Sequence, residues 1–505
     1  MKKYIVYTIS TLFLFSCTDL EEDLDGLFEE SGLSSQAVVT GQLSAAYNQL
    51  QSFQNSDSFQ FTLLQHSTDE MAGPTRGAGW DDGGQWRALH LHEWNSSHSK
   101  ISGAWSQNLG GLFAAIDALS NEPTADQKAA ATFYSSFYMF YNLDIWGQVP
   151  YREPGSSYGE IPIVLKRTEA IDLAIDQLEE VFSDLPNSSA NNTATQYAAA
   201  ALLAKLYVNK AVYKATDEDG TPQAGPFTFD SSDMQKVIDY CDIIIDSGSF
   251  TLQTNYFDSF APNNTAIATE NIFVSENDNN TGGAMRRMYY MTLNENHNPG
   301  GWNGFVALTD LYDKFDSADP RIGSDYSGLT DVTGLKVGFL IGQQFDQNGN
   351  MLIDNQNNPM NFTRDFSLAN SSSSQGIRAV KYSPDLSNID RPANDYVFFR
   401  LADVYLMKAE AMARMGNDPS GPLTTLRVAR GVDAVYTGTS LDDILDERSR
   451  ELYWEGWRRN DQIRFGTFLD PVQQKSSTSD RTKLIYPIPA TALSTNPNLI
   501  QNPGY

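Results

Sequence analysis

A helical period built on small residues restricts this chain more than any other feature. Residues 125–143 and 195–213 combine alanines with aromatic and branched apolar side chains at three- and four-residue spacing, and residues 198–201 with Ala204 are the densest case. Faces lined by alanine let two backbones approach closely, so these stretches predict helices that pack on other helices. The same period marks residues 37–53, 101–119, 168–185, 232–246, 400–415, 422–431 and 441–465. Consecutive segments of this size predict α-α hairpins stacked into a tetratricopeptide-like superhelix, although the full consensus of that repeat is missing. The expected fold is mostly α, with long irregular loops and minor β-hairpins.

The N-terminus reads as an address. Lys2 and Lys3 precede an apolar run over residues 5–15 that is too short to remain as a membrane-spanning helix. Leu14-Phe15-Ser16-Cys17 then resembles a bacterial lipobox, which implies a signal peptide over residues 1–16 and lipid on the Cys17 sulfur. The alternative is an ordinary secretory signal that happens to contain a cysteine. Residues 17–36 form an acidic linker, and its Asp19, Glu21, Glu22 and Asp23 resemble the tag that exports lipoproteins of Bacteroidetes to the outer face of the outer membrane. Cys241 is the one other cysteine. It shares a helical apolar stripe with Met234, Val237, Ile238 and Ile244, where a thiol packs as a small core residue. With Cys17 lipidated, no disulfide or thiolate metal site is expected, and packing must hold the fold.

Charge narrows the partners. The chain carries 35 basic against 63 acidic residues, a net of −28. Such a surface repels phosphate backbones, so nucleic acid is not an expected partner, and it disfavours anionic polysaccharides as well.

Residues 250–394 differ from the flanking segments 37–249 and 395–505. They are rich in Asn, Asp, Gly, Ser and aromatics and have little helical period. Gln347-Asn348-Gly349-Asn350 predicts a hairpin turn. Asp346, Asn348, Asn350 and Asp354 also suggest a calcium loop, but Met351 stands where an EF-hand needs Gly, and Asn357 where it needs Glu. We expect one domain over residues 37–505, with 250–394 as a loop-rich insert.

Two glycine-rich loops carry the candidate ligand platforms. Four of the eight tryptophans, Trp80, Trp86, Trp94 and Trp105, fall within 26 positions, and Trp80 sits among glycines and aspartates. Such a placement favours a surface ring over a core one, and Trp94 and Trp105 are the expected core members. Trp302 and Asn303 lie in the second loop, Asn298-Pro299-Gly300-Gly301-Trp302-Asn303-Gly304-Phe305. An indole face beside carboxylate acceptors and arginine donors suits a sugar, which has an apolar C–H face and a hydroxyl rim. Trp80, Trp86 and Trp302 are therefore candidate stacking platforms, with Asp69, Arg76, Asp81 and Asp82 as hydroxyl partners.

Catalytic and metal readings are weaker. Arg448, Glu451, Glu455 and Arg458 fall at spacings of three, four and three, on one face of a helix. Carboxylates held by arginines stay ionised and cannot act as acids, so an ion-pair network is expected there. His90, His92 and His98 are expected to pack and hydrogen-bond, and no metal or cofactor is expected.

Arg400-Leu401-Ala402-Asp403-Val404-Tyr405-Leu406-Met407-Lys408-Ala409-Glu410-Ala411 resembles the C-terminal signature of the SusD/RagB family. Glu447-Arg448, Arg450-Glu451-Leu452, Glu455-Gly456-Trp457-Arg458, Arg464-Phe465-Gly466, Tyr486-Pro487-Ile488-Pro489 and the closing Asn502-Pro503-Gly504-Tyr505 follow in the family's order. Thr68-Asp69-Glu70 and Trp146-Gly147-Gln148-Val149-Pro150 are N-terminal marks of the same family. One departure stands before Trp146, where an Arg-Ala pair is usual and Phe133-Tyr134-Ser135-Ser136-Phe137 occurs. The resemblance implies a surface lipoprotein on the outer membrane, facing the exterior, that captures oligo- or polysaccharide for a SusC-like TonB-dependent transporter and catalyses nothing. By the same analogy Arg378 and Tyr382 become ligand contacts. A RagB-like peptide binder and, further off, a glycoside hydrolase are the alternatives.

Overall fold

The alanine-lined faces close into a stack of antiparallel helices. The computed structural model describes residues 34–77, 80–278, 280–432 and 438–505, so Cys17, the leader over residues 1–16 and nearly all of the acidic linker lie outside the described residues. Helices α1 (Ser35–Asn48), α2 (Phe59–Gln65), α3 (Gln85–His90), α4 (Ser99–Leu119), α5 (Ala125–Ile145), α6 (Arg167–Glu180), α7 (Gln196–Lys214) and α8 (Ser231–Asp246) occupy the first half. The second half adds α9 (Leu401–Arg414), α10 (Ser420–Ala429), α11 (Leu441–Leu452) and α12 (Arg458–Phe465). Each helix from α4 to α7 packs on the next, α8 packs on α9, and α1 lies across α4 and α5. Residues 35–505 form one compact unit. No helix among the described residues is long and apolar enough to cross a membrane.

Helix α5 is the axle. A helix that is apolar all round is buried all round, and every residue from 131 to 147 is buried. Phe133 and Phe137, where the family pattern departs, meet Phe273 edge-to-face at 5.0 and 5.8 Å. Phe137 also meets Phe398 at 5.2 Å. Phe273 and Phe398 belong to the antiparallel pair Asn271–Ser275 with Tyr396–Arg400, which joins the insert to the helical stack.

The structure corrects the helix expected over residues 441–465. It ends at Leu452 and restarts at Arg458, with Trp454 and Gly456 at positive φ. Side chains satisfy the backbone groups that the break frees. Lys381 Nζ donates to the carbonyls of Glu451 and Tyr453, and Tyr256 donates to that of Glu451. The Trp454 N–H donates to Glu70 Oε2 at 3.1 Å. Arg448, Glu451, Glu455 and Arg458 therefore do not share one helical face, yet all four enter buried ion pairs.

Glu451 takes Arg321 at 2.8 Å, Arg400 at 2.6 Å and Arg430 at 2.6 Å, all fully buried. Burial pushes its carboxyl up, but the three guanidiniums outweigh that and hold it well below the usual carboxylate range. Glu447, held by Arg321, Arg450 and Arg427, is depressed to about 2 in the same way, against its burial. These carboxylates are fixed anions that tie α10 and α11 to the insert.

The turn at residues 347–350 forms, closed by a Phe345–Met351 bridge. Its carboxylate is consumed by the turn itself, because Asp346 Oδ1 accepts the amides of Asn348 and Asn350 at 2.8 Å. Asp354 repeats the arrangement eight residues on, accepting from Gln356 and Asn358 at 2.9 Å. The aspartates of the calcium-like spacing thus serve backbone turns. His90, His92 and His98 each bond a different backbone carbonyl, those of Gln473, Ser67 and Gln85.

Candidate ligand-binding site

Three distant segments meet in one short ladder, and the loops at its end make a cleft. Met71–Ala72 pairs antiparallel with Val306–Ala307, and Ala307 bridges to Ile377. The loop after Ala72 carries Trp80, the loop before Val306 carries Trp302, and the segment before Ile377 carries Ser371, Ser372, Ser373 and Gln375. These surround a cleft of about 1080 Å³, completed by Asp57, Lys100, Glu295, Asn355 and Gln356.

Aromatic rings form one wall. Trp80 stacks on Trp86 with centroids 4.9 Å apart and planes 21° apart. Trp302 meets Trp80 edge-to-face at 6.0 Å and 66°, and Tyr290 at 5.2 Å. Trp302 is 44% exposed, whereas Trp86 is 5% exposed and forms the layer beneath. The Arg287 guanidinium lies 4.5 Å from the Trp302 ring centre and Lys100 lies 5.3 Å from that of Trp86, contacts that hold flat rings in place. Phe305 meets Trp80 and Trp86 edge-on at 5.8 and 5.1 Å.

Polar groups form the rest. Asp81 is occupied by Thr75 at 2.5 Å and by Arg87 at 2.9 Å; the Thr75 hydroxyl, then Arg87, hold its carboxyl below the usual range. Asp82 pairs with Lys100 at 2.8 Å. Arg76 donates to the carbonyls of Gly304, Ser372 and Gln375, and burial lowers its guanidinium to about 9. Those three bonds use three of its five N–H groups. Asp57, which burial pushes up, has Oδ1 buried without a hydrogen-bond partner among the described residues.

Seven of the residues expected from sequence line the cleft: Trp80, Trp86, Trp302, Arg76, Asp81, Asp82 and Asn303. Three do not. Asp69 is buried and held bidentate by Arg458 at 2.6 Å, an ion pair that keeps its carboxyl low despite its burial. Tyr382 is 1% exposed, stacked on Tyr396 at 6.0 Å and 11°, with its hydroxyl accepting the Val397 N–H. Arg378 is fully buried and donates to Asn303 Oδ1 and to the carbonyls of Ser373, Gln375 and Gly376. It knits the second loop to the third, and Asn303 completes the knot by donating to the Ser373 carbonyl at 3.0 Å. Sequence reasoning missed Asp57, Lys100, Glu295, Asn355 and Gln356, which carry no local signal beyond being polar.

Residues 269–505 match the SusD family. The chain is 27% identical over 433 residues to the starch-binding protein SusD of Bacteroides thetaiotaomicron, covering 77% of this chain and 74% of that one. A SusD superfamily protein from Parabacteroides distasonis superimposes with a TM-score of 0.73 at 18% identity, over 94% of this chain and all of the other. The family match thus covers the C-terminal part of the chain, residues 269–505. The mostly helical stack is the SusD fold. A further neighbour, surface glycan-binding protein A from Bacteroides thetaiotaomicron in complex with laminarihexaose, has a TM-score of 0.66 at 17% identity, over 92% of this chain and 98% of that chain. The buried arginines, Glu451 and the Asp69–Arg458 pair belong to the scaffold, and Trp80, Trp86 and Trp302 belong to the cleft.

Proposed function

We propose that this chain captures a neutral oligo- or polysaccharide at the cell surface, binding it in the tryptophan-walled cleft without cleaving it. The observation that carries the reading is the pairing of a half-exposed Trp302 with Trp80 at 66° on one wall of a cleft otherwise lined by hydroxyl, amide and carboxylate groups. A pyranose presents a C–H face to such rings and its hydroxyls to such a rim. Asp57, Arg76 and Asn355 supply an acceptor, donors and an amide for those hydroxyls. The charge balance favours a neutral sugar. The carboxylates Asp57, Asp81, Asp82 and Glu295 outnumber the cations Arg76 and Lys100 along the cleft, and Lys100 is already paired.

The relatives carry names of binding proteins, one for starch and one in complex with laminarihexaose, which fits this reading. No acid/base pair of the kind that hydrolyses glycosides is needed, and the helix-bound glutamates are fixed anions. Titration calorimetry against a panel of neutral oligosaccharides should give saturable, enthalpy-driven binding to one class. Release of reducing ends by the pure protein would overturn the reading, and so would binding to peptides alone.

Lipid on Cys17 would hold the protein on the outer membrane facing the exterior, where it delivers the glycan to a SusC-like TonB-dependent transporter. Cys17→Ser should then free the protein from membranes while leaving its affinity unchanged, because the lipid anchors and does not recognise. Retention of that variant on membranes lacking the transporter would refute the anchor.

A further inference from the structure

Trp80 lies directly on the backbone of Gly304. A Cβ built on Gly304 would fall inside the indole, far closer than van der Waals contact to Cζ2 and Cε2 and 2.6 Å from Cη2. Gly73 stands in the same relation to the layer below, where an added Cβ would come within 2.6 Å of Trp86 Cβ. The two glycines belong to the two loops that the Met71–Ala72 and Val306–Ala307 ladder brings together. Gly304 is also tethered, since its carbonyl accepts from Arg76 Nε and its N–H donates to the Met291 carbonyl at 2.8 Å. Its backbone therefore cannot retreat freely to make room for a side chain.

We infer that Gly304 is the positioning residue of the aromatic wall, setting the depth at which Trp80 lies and hence the angle between the Trp80 and Trp302 faces. With hydrogen at this position Trp80 lies flat on Trp86 and leaves the cleft open beside Trp302. With a methyl group Trp80 cannot keep this seat on Trp86, and its ring must move. One glycine thus decides whether the ligand meets two rings at 66° or a wall with one ring displaced. Gly304 needs no contact with the ligand to do this, because it acts through Trp80.

The affinity part of this inference rests on the glycan-binding reading, and the spectroscopic part does not. Two indoles 4.9 Å apart couple their electronic transitions, so the stacked pair contributes a circular dichroism signature that falls steeply as the rings separate, on top of that of the core Trp105–Trp146 pair at 5.1 Å. Gly304→Ala should lose that signature and weaken oligosaccharide binding by ~10-fold or more, the loss typical of a displaced central ring. Of the colliding atoms, Cζ2 and Cη2 lie in the benzene ring of the indole, and Cε2 lies where a phenyl ring would still reach, so only Trp80→Ala removes the whole collision. In a Trp80→Ala background Gly304→Ala should therefore cost less than about twofold, the coupling expected of residues in contact. That coupling also separates positioning from misfolding, because a Gly304→Ala protein that misfolds for another reason would lose binding in the Trp80→Ala background as well. An unchanged signature in Gly304→Ala, or an equal loss of affinity in both backgrounds, overturns the inference. If the parent protein binds no glycan while Gly304→Ala still loses the signature, the function fails and the positioning stands.

Discussion

Charged side chains crowd two regions of this molecule and do opposite things in them. Around Glu451 the arginines Arg321, Arg400 and Arg430 and the carboxylates Glu270, Glu447 and Glu455 are fully buried and paired with one another. Around the cleft, Asp82 and Glu295 are exposed, Arg76 serves carbonyls, and aromatic rings supply the free faces. The first region is closed to a ligand by its burial, and the second is open to one. Buried ion pairs are poor stabilisers compared with apolar packing, but removing one partner leaves the others uncompensated in a low dielectric. The network is thus sensitive to loss of a member while contributing specificity of assembly, here the seating of the insert against α10 and α11. The cleft tolerates losses in folding and registers them in binding.

Glu451→Ala gives the largest effect that this contrast predicts. Three buried guanidiniums lose a shared partner, and breaking even one buried pair costs about 3–5 kcal/mol. The variant should be recovered poorly or unfold at a far lower denaturant midpoint. The fraction that remains folded should bind oligosaccharide with parental affinity. A normal midpoint would mean that the network carries little of the fold.

Trp302→Ala is the converse and comes next. Its ring is 44% exposed, so truncation leaves the core intact. Interface tryptophans commonly carry about 2 kcal/mol or more, roughly thirtyfold in affinity. Calorimetry and thermal melting on one preparation should show the loss in the dissociation constant and nearly none in the melting temperature. Trp80→Ala is a mixed case, since Trp80 also covers Trp86 and Phe305, and it should lower both. An unaltered affinity in Trp302→Ala would move the ligand away from this wall.

The same contrast explains what the sequence disclosed. The helices of the stack were legible because alanine faces and apolar periods are local; ends such as Ser231–Asp246 differ from expectation by a residue or two, whereas α1 and α6 stop at Asn48 and Glu180, short of the expected 53 and 185. The end of α11 was not legible. The Lys381, Tyr256 and Glu70 side chains that satisfy its broken backbone come from 70 or more positions away. In the cleft, Trp80 and Trp302 were legible as rings among glycines. Arg378 and Asp69 share their residue types with the cleft-lining Arg76 and Asp57, and only burial tells them and Tyr382 apart from cleft residues. No local pattern announces the ladder joining Met71–Ala72, Val306–Ala307 and Ile377, because its register is set by pairing between distant segments.

A smaller effect separates the two regions by pH. Glu70 is buried beneath the cleft scaffold, accepting from Gln65 and the Trp454 amide, and burial raises its carboxyl from 4.5 to about 8. A carboxyl raised on folding contributes stability that is complete below its unfolded pKa and lost as the pH rises through the folded value. The Glu447 and Glu410 carboxyls, each depressed to about 2, have the opposite sign. Their contribution is present above the unfolded pKa and lost as the pH falls through the folded value. Parental stability should therefore decline between about pH 6.5 and about pH 8 through Glu70. It should fall again below about pH 6.5, first through His66, His90, His92 and His297, which burial lowers to about 3 or 4, and then in stronger acid through the network. Glu70→Gln should flatten the first decline and leave the second. Urea midpoints across that range measure both, and an alkaline decline that survives Glu70→Gln would assign it elsewhere.

The smallest expected effect concerns salt. If the ligand is neutral, no long-range attraction draws it to the cleft, and contacts with Trp80, Trp302, Asp57 and Arg76 act only at short range. The Asp82–Lys100 pair, 2.8 Å apart with Asp82 exposed and Lys100 partly buried, lies at the rim, where ion pairs contribute at most about 1 kcal/mol. Raising salt from about 0.01 M to about 1 M shortens the screening length from about 30 Å to about 3 Å. Across that range the dissociation constant should change by less than about twofold, and Asp82→Asn should leave it equally flat. A uronate- or sulfate-bearing chain would behave differently. At low salt the −28 net charge would repel it, and added salt would strengthen binding as that repulsion was screened. A salt-strengthened affinity would thus identify an anionic glycan held against the field of the protein. In that case Arg76, whose guanidinium faces carbonyls and no carboxylate in ion-pair contact among the described residues, would become its charge partner.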